Sequence, residues 1–109
     1  MNMYAVISPS SYPRLKEILS KFSQYKLVIT TFGVSYALKN NLDIDFALDK
    51  GVWVRAYSHK VFSHGELPIH EAEAIMVASD LQAILIASDE KVKAEAERRG
   101  VKVVSPDAS

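Results

Sequence analysis

The amino-acid sequence predicts an α/β fold: a three-layer sandwich in which a mostly parallel sheet is covered by helices on both faces. Two observations carry this. Five short apolar runs, Met3–Ser8, Lys26–Ile29, Val52–Tyr57, Ala83–Ala87 and Val101–Val104, recur along 109 residues, and most are separated by stretches whose apolar residues repeat at helical spacing. Strands this short and this continuously apolar, alternating with helices, belong in a parallel sheet buried on both faces. The composition agrees, with 49% hydrophobic and 24% charged residues, enough apolar material for a packed core. The length suits one domain, expected over residues 1–109.

The elements follow in order. Met3–Ser8 reads as a buried strand ending at Ser-Pro-Ser-Ser, a helix-start signal. Leu15, Ile18, Leu19 and Phe22 recur at i, i+3, i+4 and i+7, which predicts a helix with Ser10 or Ser11 as N-cap and Pro13 in its first turn. Lys26–Ile29 is the second strand, and the connection is long enough for a parallel crossover. Between Thr30 and Asp49 two helices are expected, one through Val34, Ala37 and Leu38, the other from the alternating stretch Leu42–Phe46. Asp49-Lys50-Gly51 is a turn, and the β-branched and aromatic Val52–Tyr57 a strand. Ser58–Pro68 is expected to be irregular. A helix over Ile69–Asp80, a strand over Ala83–Ala87, a helix over Asp89–Arg99 closed by Gly100, and a strand over Val101–Val104 complete the chain.

Charge and composition narrow the function classes. Thirteen basic and thirteen acidic side chains cancel, so the global positive field common among nucleic-acid binders is missing. The distribution is uneven: residues 1–55 hold seven Lys/Arg against four Asp/Glu, and residues 56–109 six against nine, giving +3 and −3. Opposite charges on the two halves favour self-association, and a homodimer is expected on that ground. No apolar run approaches the roughly 20 residues that span a bilayer, and the N-terminus lacks the basic region of a secretory signal. Together with the absence of cysteine, this makes a cytoplasmic protein without membrane association the expectation.

In a parallel sheet of this kind ligands bind beyond the carboxyl ends of the strands, where strand order reverses. The residues placed there are Ser8–Ser11, Thr30–Thr31 and Ser88–Glu90. Glu73 is the most informative acid. At 100° per residue from Ile69 it falls at about 40°, between Met76 at about 340° and Val77 at about 80°, on the apolar face of its helix. A carboxylate there needs a cation or hydrogen-bond donors. Glu71, about 160° from Glu73, is expected in solvent. Asp89 opens the last helix at the sheet edge, as N-cap, as metal ligand, or as both, and Glu90 is adjacent. His59, His64 and His70, near Glu66 and Glu71, match no zinc spacing and read as loop and surface histidines. The mixed charges of Lys91, Lys93, Glu95, Glu97, Arg98 and Arg99 read as a solvated, salt-bridged face. A nucleophile elbow and a phosphate loop are both absent.

The stretch GELPIHEAEAIMVASDLQAILIASDEKVKAEAERRGVKVV, residues 65–104, resembles the C-terminal half of PIN domains, the compact ribonucleases found in many toxin–antitoxin pairs. The resemblance rests on an acid before Ala-x-x-x-Ala on a helix, Glu73 in EAEAIMVA, on a strand ending in an acid before a basic helix, Asp89 in LIASDEK, and on the closing AERRGVKVV. It implies a five-stranded parallel sheet of order 3-2-1-4-5 and a cluster of carboxylates around Mg²⁺ or Mn²⁺ that activates water against an RNA phosphodiester. Against that pattern, the first strand ends in Ser8-Pro9-Ser10 where the family carries Asp, and the helix after the second strand has Ser35-Tyr36-Ala37 where the family carries Glu. A hydroxyl is a neutral ligand and does not replace a carboxylate's charge. The remaining acids are Glu73 and Asp89, with Glu90, Asp43 or Asp45 as substitutes.

The expectation is therefore a PIN-like module with an incomplete metal site, non-catalytic, binding RNA or an antitoxin-like protein partner. The alternative within the family is a Mg- or Mn-dependent ribonuclease in which Glu73 and Asp89 are catalytic, Glu73, Asp89 and Glu90 hold the metal, and Ser8, Ser10 and Thr31 position RNA or phosphate. The alternative outside the family is a small domain binding a nucleotide or other anion at the hydroxyl-rich turns.

Overall fold

A computed structural model describes residues 3–61 and 67–107; His64 and Glu66, weighed above beside the other histidines, lie outside them. The strands are β1 (Tyr4–Ile7), β2 (Lys26–Thr30), β3 (Trp53–Arg55), β4 (Ile84–Ile86) and β5 (Val103–Val104). The α-helices are α1 (Leu15–Lys21), α2 (Thr31–Lys39), α3 (Asp45–Asp49), α4 (Ile69–Leu81) and α5 (Glu90–Arg98), and a 3-10 segment, Pro9–Arg14, joins β1 to α1.

The strands form one sheet in the order β3-β2-β1-β4-β5, every neighbouring pair parallel. This is the α/β architecture and strand order expected. The chain leaves β1 outwards through β2 and β3 and then returns to place β4 on the other side of β1, so strand order reverses between β1 and β4, the point where ligands bind in sheets of this kind.

Side chains alternate across the sheet as the pleat requires. Ala5, Ile7, Leu27, Ile29, Ile84 and Ile86 pack with Leu15 and Ile18 of α1, Ala37 of α2 and Ala47 of α3. Val6, Val28 and Leu85 face Ala74, Ile75, Val77 and Ala78 of α4 and Val92 and Ala96 of α5. The sheet thus has a covered core on each face. Ile7, Ile29 and Ile86 are fully buried, each stabilising the fold by roughly 1.5–3 kcal/mol.

Several elements differ from expectation for local reasons. Neither Ser10 nor Ser11 caps a helix. The chain turns at once into the 3-10 segment after Ser8, whose side chain makes no cap hydrogen bond, because that hydroxyl is engaged elsewhere. The third strand is shorter than Val52–Tyr57: β3 pairs Trp53, Val54 and Arg55 with Val28, Ile29 and Thr30, and β2 ends there as α2 begins, leaving Ala56 and Tyr57 without a ladder. The last strand shortens similarly, because Val101 N–H is used on Ala96 O to close α5. Gly100, at φ 78°, supplies the left-handed residue that this helix end requires. The alternating Leu42–Phe46 contains both a connection and a helix start, with Ile44 buried against the sheet and Asp45 opening α3.

Candidate functional site

Three chain segments meet at the carboxyl edge of the sheet. Ser8 follows β1, Thr31 and Phe32 open α2 directly after β2, and the first turns of α4 pass across both. α4 is buried from Glu71 to Ala78, so it has no solvent face at this point and Glu71 and Glu73 enter the protein, whereas Asp80 near its end is exposed.

Glu71 is held at the end of β1. Ser8 Oγ donates to Glu71 Oε1 at 2.5 Å, and Ser10 N–H donates to Glu71 Oε2 at 3.0 Å. Ser8 Oγ lies 2.9 Å from Ser10 Oγ; since the single Ser8 proton goes to the carboxylate, Ser10 is the donor of that pair. Glu73 is held at the end of β2. Thr31 Oγ1 donates to Glu73 Oε2 at 2.6 Å and Phe32 N–H to Glu73 Oε1 at 2.8 Å. Thr30 Oγ1 accepts from Gly33 N–H at 3.3 Å and caps α2. All four carboxylate oxygens of Glu71 and Glu73 therefore have a donor, and all four donors are neutral.

The electrostatics follow from burial. Glu71 has its carboxyl raised above the usual value of 4.5, chiefly because burial penalises the charged form; the charge of Asp89 pushes in the same direction, against the hydrogen bonds from Ser8 and Ser10. His70 lies with Nε2 3.9 Å from Glu71 Oε2 and its ring 4.2 Å from that of Tyr36. Burial lowers the imidazole below its ordinary 6.5, so it is neutral at physiological pH. The phenol of Tyr12 is pushed up by burial and by the charges of both glutamates. It packs against Gly33 of α2, where an added Cβ would stand 2.2 Å from Tyr12 Oη and 2.8 Å from Thr30 Oγ1. Glycine is required here by close approach rather than by a turn.

Asp89 is the N-cap of α5, its Oδ1 accepting from Lys91 N–H at 2.9 Å and Val92 N–H at 3.1 Å. It is exposed at the same sheet edge, and its charge helps to raise the Glu71 carboxyl. Glu90 points to solvent, 86% exposed, beside Lys93 at 3.5 Å. Asp43 Oδ1 accepts from Asp45 N–H at 3.0 Å and shapes the entry to α3, and both aspartates are exposed.

The carboxyl edge thus gathers Glu73, Ser8, Ser10 and Thr31, with Asp89 at its rim and Glu90 turned away. Among the described residues no group of three His, Asp or Glu side chains is disposed to hold a metal ion, and the glutamate oxygens already face O–H and N–H donors. These residues do not fit a Mg²⁺ or Mn²⁺ centre.

One expectation is corrected: Glu71 is not in solvent but 4% exposed. The helical wheel assumes a helix with one wet face, whereas α4 is buried without a break from Glu71 to Ala78. The signal was present in Ala74–Ala78, five consecutive residues without a polar side chain, which mark a helix buried all round. Tyr12 was also missed, and no local pattern indicates it.

No protein-family model and no curated protein matches the sequence. Among solved structures, the chain is similar to a PilT N-terminus domain protein from the hyperthermophilic archaeon Sulfolobus solfataricus P2. The two share 54% identity over 96% of this chain and 88% of that one, with a TM-score of 0.91. A likeness in sequence and fold over nearly the whole of both chains shows that this protein belongs to the PilT N-terminus, or PIN, domain family.

Proposed function

We propose that the protein is a PIN-fold binding module, acting on RNA or a protein partner by association rather than by cleavage. The observation that carries this reading is the engagement of every Glu71 and Glu73 oxygen by a neutral donor of the chain itself. Each carboxylate oxygen accepts a hydrogen bond from Ser8, Ser10, Thr31 or Phe32, so the two acids tie α4 to the ends of β1 and β2. A hydrolytic metal site needs carboxylates with lone pairs open to a cation, held close enough together to share it. Here the two acids are held at the ends of different strands, each oxygen facing a hydroxyl or amide donor.

The same arrangement argues against an anion pocket at these turns. The N–H groups of Ser10 and Phe32, which a phosphate would use, are occupied by the chain's own carboxylates.

The test is incubation of single-stranded RNA with the protein in millimolar Mn²⁺. The binding-module reading expects intact RNA. Mn²⁺-dependent cleavage that disappears with Glu73→Gln or Asp89→Asn would instead establish the ribonuclease.

A further inference from the structure

The opposite edge of the sheet carries a groove of about 1040 Å³ between α1, α3 and the starts of β2 and β3. Its walls include the lysines Lys16, Lys26 and Lys50 and the aromatic rings of Tyr25, Phe46 and Trp53, and no Asp or Glu is among its lining residues. In a chain of zero net charge, three cations in a groove without an acid form a local positive field. Glu17, the nearest acid along α1, is drawn away by Arg14 Nη2 at 2.7 Å.

The lysines and rings are paired. Lys26 Nζ lies 4.9 Å from the centroid of Trp53, and Lys16 Nζ lies 5.7 Å from that of Phe46. Trp53 packs against Tyr4 at 5.8 Å between centroids, yet remains 41% exposed. An indole of this exposure costs hydration free energy unless something covers it. Alternating cations and aromatic faces suit a ligand that alternates phosphates and bases. Phosphates draw the ammonium groups off the rings, and the freed faces stack bases without regard to sequence.

We propose that this lysine–aromatic groove binds a strand of single-stranded nucleic acid, at the amino ends of β2 and β3 and away from the carboxylates of α4. The proposal rests on the reading of the protein as a binding module, and gives that module a place to hold its partner.

Trp53 is the only tryptophan, so its fluorescence reports the groove directly. Titrations in EDTA with an eight-nucleotide oligouridylate, the corresponding oligothymidylate, and UMP separate strand binding from nucleotide binding and from any cleavage. The expected result is quenching by both oligomers, with UMP at least tenfold weaker. Neutralising three phosphate contacts gives a slope of log affinity against log salt of about −2. The paired change Lys16→Glu and Lys50→Glu, which leaves Trp53 in place and lies on the surface, is expected to weaken binding at least tenfold with unchanged circular dichroism. Trp53→Ala, followed by anisotropy of a labelled oligomer, is expected to weaken it roughly tenfold. Equal affinity for UMP, absence of quenching, or binding indifferent to the lysine changes would overturn the groove assignment. Oligomer binding that survives the lysine changes would leave the module reading standing, whereas Mn²⁺-dependent cleavage would end that reading without touching the groove.

Discussion

Ser8 Oγ donates to Glu71 Oε1 at 2.5 Å across 63 positions of sequence, so the negative charge at the end of β1 is supplied by α4 and not by β1 itself. The family pattern places an acid on the strand. Here the strand offers a hydroxyl and the helix brings the carboxylate to it, a pairing that would be repulsive if both were acids.

Ser8→Ala removes that donor and leaves a buried carboxylate oxygen unsatisfied. The expected loss is about 1.5–3 kcal/mol, as for other hydrogen bonds to charged groups, read from urea unfolding midpoints at pH 7. A loss below about 0.5 kcal/mol would show that the bond does not hold the site.

Glu71 makes stability depend on pH in a defined direction. Its folded-state carboxyl is raised, so the folded protein binds the proton more tightly than the unfolded chain. The contribution is full below the unfolded value and is lost as pH rises through the folded value. His70, with a lowered folded value, acts in the opposite sense: its contribution is present above its unfolded value and lost on acidification. Comparison of the wild type with Glu71→Gln isolates the carboxylate. From pH 4.5 upwards the wild type should lose stability relative to the variant, and parallel curves would contradict the assignment.

Glu73→Gln keeps the shape of the side chain and, with its carbonyl on Phe32 N–H and its N–H₂ donating to Thr31 Oγ1, keeps both partners, but exchanges two charge-assisted hydrogen bonds for neutral ones. The expected destabilisation is about 1.5–3 kcal/mol, whereas Glu90→Gln, on a side chain 86% exposed, should stay within about 0.5 kcal/mol. Chemical denaturation of the two variants side by side checks the contrast.

The sheet and its order were legible because short apolar runs and helical spacings are local properties, and their alternation leaves few topologies open. Glu73 was legible for the same reason, as a charge at an apolar angle. Glu71 was not, because its burial depends on what surrounds α4 on every side, a tertiary fact that no wheel contains. Ser8 was recognised as standing in place of an acid, but its partner lies 63 positions away. The shortened β3 likewise follows from where β2 ends rather than from the sequence of Val52–Tyr57.

Gly33→Ala tests the packing behind the site. The new methyl would meet Tyr12 Oη at 2.2 Å, and the expected cost is about 1–3 kcal/mol. Tyr12→Phe removes the nearest atom, so in the Gly33→Ala background it should recover part of the loss. Simple additivity of the two changes in thermal unfolding would rule out this contact as the cause.

The central claim is that Glu71 and Glu73 serve the scaffold through hydrogen bonds rather than through a metal. Thermal unfolding in EDTA and in 10 mM Mn²⁺ tests it most directly. A site with a dissociation constant near 0.1 mM would add about 2.7 kcal/mol at that concentration, a rise of several degrees for a chain of this size. The predicted result is the same Tm in both solutions; a rise in Mn²⁺ that disappears with Glu71→Gln or Glu73→Gln would contradict it.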